Sequence, residues 1–157
     1  MPRVARELAA SSGFLLARLG IGFKARAIAR AEDHGFELYD YSVLALLAEG
    51  DRKTQSTIAD ALAVDPSRVV ALLDSLEHRG LLARQRDLHY RRRHVVSITP
   101  TGKRRLVQLR ALVRALEDEF LAPLDETKRK ILHDLLVELA AHNDPDCCPL
   151  ETDGSAA

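Results

Sequence analysis

The chain has 157 residues, of which 46% are hydrophobic, enough for one cored domain or for a domain with an oligomerisation element. No apolar run approaches the roughly 18 residues of a membrane span, and the N-terminus lacks the apolar block of a secretory signal, so a soluble, cytoplasmic protein with no membrane partner is expected. The net charge of zero hides a segregation: residues 51–115 hold fourteen Lys/Arg against six Asp/Glu, and residues 116–157 hold three against eleven.

In chain order, Leu8 to about Ala31 reads as one long helix. Phe14, Leu15, Leu19, Phe23 and Ile28 recur at helical spacing, with Arg18, Lys24, Arg26 and Arg30 between them. Gly20 and Gly22 weaken it, each by about 0.5–1 kcal/mol relative to Ala, and mark either close packing or a bend. His34-Gly35 ends it. Tyr39 to Glu49 is a second helix, burying Val43, Leu44, Leu46 and Leu47 and stopped by Gly50. Thr54 can cap a third, Gln55 to Leu62, which buries Ile58, Ala59 and Leu62.

Ala63-Val64-Asp65 is a turn of the length that a helix-turn-helix requires. Asp65 can cap the next helix and Pro66 suits its first position. Val69, Leu72, Leu73 and Leu76 then form a buried face, and Gly80 stops the helix. Leu81 to Arg84 and His94 to Thr99 are extended runs that predict a two-stranded hairpin. Between them lies a cationic loop from Arg86 to Arg93. A helix with an open N-terminus beside a basic hairpin suits a DNA duplex, the helix in the major groove and the hairpin at the backbone or adjacent minor groove.

Thr99-Pro100 repeats the cap-then-proline signal and opens a long helix to about Ala122, with Leu106, Leu109, Leu112, Val113, Leu116 and Phe120 as its stripe. Pro123 breaks it. Asp125 can cap a last helix, Glu126 to about His142, with Ile131, Leu132, Leu135, Leu136 and Leu139 on one side. The stripes of the first and last two helices exceed what one small helix-turn-helix core can cover, so a homodimer is expected. Its two recognition helices would match an inverted repeat with half-sites about one turn apart. The fold class is therefore mainly α, an α+β winged helix. Residues 8–34 and 101–142 are the helical dimerisation region, 38–100 the winged helix-turn-helix, and 143–157 a disordered acidic tail.

Five stretches carry a family resemblance by their order and spacing: Gly35 to Leu44, Thr54 to Ala59, Asp65 to Val70, Leu76 to Leu82, and Val96 to Gly102. Together they resemble the MarR family of bacterial winged-helix regulators, over nearly the whole chain to about His142. The resemblance implies a homodimeric DNA-binding protein, usually a repressor that releases DNA when a small molecule binds or a cysteine is oxidised. It makes Asp87 a brace for one wing arginine and puts another in the minor groove; Arg91, Arg92 and Arg93 are the candidates, with Arg91 or Arg92 the expected inserted residue. Two departures stand out. Tyr90 occupies a wing position that is often acidic, and Val70-Ala71 replace a polar residue and an arginine. Neither can donate a hydrogen bond to a base, so readout rests on Ser67 and Arg68, or on thymine-methyl contacts by Val70 and Ala71. Arg68 can instead contact phosphate or pair with Asp65 or Asp74. Thr54, Gln55 and Ser56 open a helix whose N–H groups favour phosphate, and Arg86 adds charge at the wing.

By the same resemblance an effector sits between the dimerisation helices and the helix-turn-helix. Phe14, Arg18, His34, Phe36, Tyr39 and Tyr41 would line it, and aromatics with a cation suit a small aromatic acid. Core packing explains each of them equally well, and Tyr39 and Tyr41, two apart on a helix, cannot both face inward. His133, His142, Cys147 and Cys148 match no zinc motif, so neither metal nor cofactor is expected. The chain has no other cysteines, and Asp144, Asp146 and Glu151 disfavour a reactive thiolate at Cys147 or Cys148. A thiol-sensing regulator is thus an alternative, as is an architectural protein that binds DNA without sequence preference. No nucleophile triad, phosphate-cradling glycine loop or paired-histidine motif supports an enzyme.

Overall fold

The computed structural model describes residues 4–37, 39–50, 53–86 and 94–144. The single N-terminal helix expected from Leu8 is in fact divided. A short helix, α1 (Arg6–Ala9), stops at Ala10, and α2 (Ser12–Asp33) starts afresh. The cause is Ser11, whose extended backbone leaves the helix and whose hydroxyl accepts from the Phe14 N–H at 3.2 Å. α2 runs unbroken through Gly20 and Gly22, and a methyl group at either would meet nothing within 4 Å. It ends on Gly35 at φ +71°, with the Phe36 N–H donating to the Ala31 carbonyl at 2.9 Å.

α3 (Asp40–Glu49) begins one residue after Tyr39, which sits outside the helix at its N-cap. That placement corrects the expectation about Tyr39 and Tyr41. Helical spacing does not bind Tyr39, and both rings are half-buried against the core. Lys53–Thr54 form a strand, β1, that the sequence did not suggest. Thr54 then caps α4 (Gln55–Leu62) by accepting from the Thr57 N–H at 3.2 Å. Ala63 turns the chain in the left-handed region at φ +48°. α5 (Pro66–His78) follows, and Gly80 at φ +68° closes it, with the Leu81 N–H donating to the Leu76 carbonyl at 2.9 Å.

β2 (Leu82–Arg86) and β3 (His94–Ile98) pair antiparallel, Leu82 opposite Ile98 and Arg86 opposite His94. β1 adds to the other edge of β3, with Thr54 opposite Val95, so the expected two-stranded wing is part of a three-stranded sheet in the order β1-β3-β2. β1 has only two residues, too few to show alternation in sequence.

Thr99 caps α6 (Pro100–Phe120), accepting from the Gly102 N–H at 3.0 Å and donating to the Gly80 carbonyl at 2.7 Å. This seats the first turn of α6 on the start of β2. A β-carbon at Gly102 would lie 2.0 Å from the Leu81 carbonyl oxygen, so only glycine fits there. Asp125 caps α7 (Glu126–Asn143) through the Lys128 N–H.

The core lies in the middle of the chain. Val43, Leu44, Ile58, Val69, Leu73, Leu76 and Val96 have essentially no exposure, and Leu106 and Leu109 bring α6 onto them. α2 joins α6 through an edge-on Phe23–Phe120 contact, 5.2 Å between ring centres, and the Arg30–Glu119 ion pair. By contrast, α1, α2 and α7 bury no residue in the single chain. Leu19 and Ile21 on α2 are 55% and 72% exposed, and Ile131, Leu135 and Leu139 on α7 are each more than half exposed. Among the described residues no helix is long and apolar enough to cross a membrane. Asp87, Arg91, Arg92 and Arg93, and Cys147 and Cys148, lie outside the described residues.

Candidate nucleic-acid interface

α5 is built to present one face. Its apolar residues Val69, Leu72, Leu73 and Leu76 are buried, which leaves Ser67, Val70, Ala71 and Asp74 on the opposite side at helical spacing, with Arg68 beside them. Its N-terminus is held by Asp65, whose Oδ1 accepts from both the N–H and the hydroxyl of Ser67, at 2.8 and 2.5 Å. These bonds, the hydroxyl first, hold the Asp65 carboxyl below its ordinary range. The Ser67 hydroxyl proton is therefore already engaged in the first turn. Arg68 pairs with neither Asp65 nor Asp74 among the described residues. Its guanidinium stacks over Tyr39, 5.0 Å from the ring centre.

Two further contacts fix the direction of α5. At its C-terminal end Arg79 makes a two-pronged bond to Asp40, Nη1–Oδ2 at 2.9 Å and Nη2–Oδ1 at 2.6 Å. Asp40 has no exposed surface and also accepts from the Glu37 N–H at 3.0 Å. The Asp40 hydrogen bonds push the Arg79 guanidinium above its already high value, against the opposing effect of burial. One turn earlier, the Ser75 hydroxyl donates to Glu37 at 2.8 Å. On the wing side Arg84 of β2 pairs with Asp74 and, at 3.0 Å, with Glu77. Its own N–H donates to Glu77 at 3.1 Å. Arg84 thus neutralises two carboxylates of α5 and ties the sheet to the helix. Neither the Asp40–Arg79 pair nor the Arg84 bridge was expected, because the partners are far apart in sequence and nothing local marks them.

Thr54, Gln55 and Ser56 stand together at the N-terminus of α4, with Thr54 engaged as the cap and Ser56 exposed. Arg86 is exposed at the end of β2, on the edge from which the wing loop departs. Gln55 at the start of α4, Val70 and Asp74 on the outer face of α5, and Arg84 and His94 of the hairpin line one cleft.

The six residues expected around an effector are not gathered in one chain. Phe36 is in the core with the Arg105 guanidinium 4.1 Å over its ring. His34 is exposed, its Nδ1 2.8 Å from the Arg30 carbonyl. Phe14 and Arg18 sit near the start of α2, and at about 1.5 Å per residue they are roughly 24–30 Å along the helix from His34. A separate apolar groove of about 440 Å³ lies between α2, the end of α6 and α7, lined by Leu16, Leu19, Phe23, Phe120, Leu132 and Leu136 among others.

Comparison with known proteins places this arrangement. A family model described as MarR family matches residues 34–93. A protein from Thauera aromatica, described as a candidate transcriptional regulatory protein for the hcr operon, is 32% identical over 99 residues, 63% of this chain and 60% of its own length. The chain thus spans less than two thirds of that relative. The structure of a MarR-family transcriptional regulator from Rhodococcus sp. RHA1 is 30% identical and covers 85% of this chain and 92% of its own, with a TM-score of 0.74. The transcriptional repressor CouR bound to a 23-mer DNA duplex is 28% identical, covers 88% and 99%, and has a TM-score of 0.79. CouR from Rhodococcus jostii RHA1 bound to p-coumaroyl-CoA is 30% identical, covers 85% and 94%, and has a TM-score of 0.71. The chain belongs to the MarR family of winged-helix transcriptional regulators.

Proposed function

We propose that the chain is a homodimeric repressor that binds a pseudopalindromic operator and leaves it when an aromatic ligand binds. The observation that carries this reading is the likeness over nearly the full chain to CouR, a repressor described both on duplex DNA and with an aromatic CoA thioester. In this reading Ser67, Arg68, Val70 and Ala71 enter the major groove. Thr54, Gln55 and Ser56 meet phosphates, and Arg86, Arg91, Arg92 and Arg93 serve the backbone and minor groove, with Asp87 as brace. Residues 38–100 are the DNA-binding unit, and 8–34 with 101–142 the dimerisation unit. Dimerisation is supported by the apolar residues that α1, α2 and α7 leave outside in one chain, more than a stable monomer ordinarily exposes in one region.

The same arrangement bears on the ligand. A second chain is needed to bring its Phe14 and Arg18 near the His34, Phe36, Tyr39 and Tyr41 end of the first. A dimeric site of that kind suits an aromatic acid or its thioester.

The test begins with selection of fragments of the source genome by the purified protein. A shared inverted repeat is the expected product, and fluorescence anisotropy then follows its release by p-coumarate and p-coumaroyl-CoA as probes. Recovery of fragments without any common sequence would contradict the repressor reading. Specific binding that neither probe weakens would reject the aromatic ligand.

A further inference from the structure

His94 stands where the three parts of the proposed DNA surface meet. It is the first residue of β3 and is exposed. It lines one cleft, of about 470 Å³, with Thr54, Gln55, Ser56 and Thr57 at the N-terminus of α4. It also lines a second, of about 320 Å³, with Val70 and Asp74 on the outer face of α5 and Arg84 on β2. Gln55 borders both, so the two clefts adjoin at Gln55 and His94. Across the hairpin its register partner is Arg86.

Building on the DNA-binding reading above, we infer that His94 is a phosphate-contacting residue whose protonation sets the strength of DNA binding. Histidine is the side chain whose charge ordinarily changes between pH 5 and 8, and protonation gives the ring a positive charge and a second N–H donor, so its contact with a phosphate oxygen becomes charge-assisted. Among the described residues the charged groups around it are Arg86 and Arg84 on β2, Lys53 on β1 and Asp74 on α5, while the facing residues of α4 carry no charge. Asp74 is already paired with Arg84, so positive charge predominates among these described groups. A phosphate at the start of α4 would be a negative partner for the protonated ring. Binding therefore takes up a proton at His94. The charge-assisted contact is then expected to strengthen binding more at pH 6 than at pH 8.

The test uses the full chain and a fluorescein-labelled mixed-sequence duplex, since phosphate contacts are independent of sequence. The dependence of log K on log salt is measured at pH 6 and pH 8 for the wild type, His94→Gln and His94→Arg. One phosphate contact contributes a slope of about 0.9. The wild type is expected to bind several-fold more tightly at pH 6, with a slope steeper by about one per bound chain. His94→Gln should show the shallow slope at both pH values, and His94→Arg the steep slope at both. A pH-dependent slope that survives in His94→Gln overturns the inference while leaving DNA binding intact, as does a shallow slope in folded His94→Arg at pH 8. Wild-type protein that binds no duplex at low salt at either pH overturns both this inference and the reading on which it rests.

Discussion

Breaking the Asp40–Arg79 pair tests how the recognition helix is held. Asp40 has no exposure and accepts three hydrogen bonds, two from Arg79 and one from the Glu37 N–H. The Arg79 side chain is 28% exposed. Removing one member of a buried pair costs about 3–5 kcal/mol, because the other charge is left without a partner. The two single variants differ in what they strand. In Asp40→Ala the guanidinium can turn toward water, so the loss falls near the low end, about 3 kcal/mol. In Arg79→Ala a wholly buried carboxylate keeps only one backbone donor, so the loss should reach about 4 kcal/mol or more. The double variant strands neither charge. It should be less destabilised than the sum of the singles, with a coupling of about 2 kcal/mol. Urea unfolding reads this directly. At a slope of about 2 kcal/mol per molar, the Asp40→Ala midpoint should fall by about 1.5 M. Strict additivity of the two singles, or a smaller loss for Arg79→Ala than for Asp40→Ala, would refute the reasoning.

Other outcomes follow from the same contacts. Gly102→Ala places a β-carbon 2.0 Å from the Leu81 carbonyl oxygen, which is backbone and cannot swing aside. A loss of about 3 kcal/mol or more, seen as a lowered melting temperature, is expected. Arg92→Ala should weaken binding to every duplex and flatten the salt slope by about one per bound chain, and an unchanged slope would remove Arg92 from the interface. The Asp65 carboxyl is held below its ordinary range by Ser67, so its cap is intact at neutral pH and is lost as the pH falls below about 4. Asp65→Asn can still cap, and its unfolding should lack that part of the acid dependence.

The features that were legible in the sequence are the local ones. Thr54, Asp65, Thr99 and Asp125 each accept from an N–H two or three residues on, so cap and helix lie in the same short window. Gly35 and Gly80 follow the last apolar residue of a helix and adopt the left-handed conformation that glycine favours. Ser11 is an equally local cap, but apolar residues continue across it and mask the break. β1 escaped notice because two residues show no alternation. The requirement for glycine at 102 depends on Leu81, and the partners Asp40 and Arg79 are 39 positions apart. Such contacts exist only once the chain has folded. The apolar stripes of α2 and α7 were plain in sequence, yet a periodic stripe does not say whether its cover comes from its own chain or another. Here its own chain leaves them open. The effector residues show the same limit, since Phe36 serves the core while Phe14 and Arg18 are a helix-length away.

The central claim is that two copies of α5 and its wing read one operator. Hydroxyl-radical footprinting of a genomic fragment selected by the protein tests it most directly. Two symmetric protected patches are expected on one face of the duplex, their centres about 10–10.5 base pairs or a small multiple of that apart. Uniform protection along the fragment, or a single patch without a symmetric mate, would contradict it.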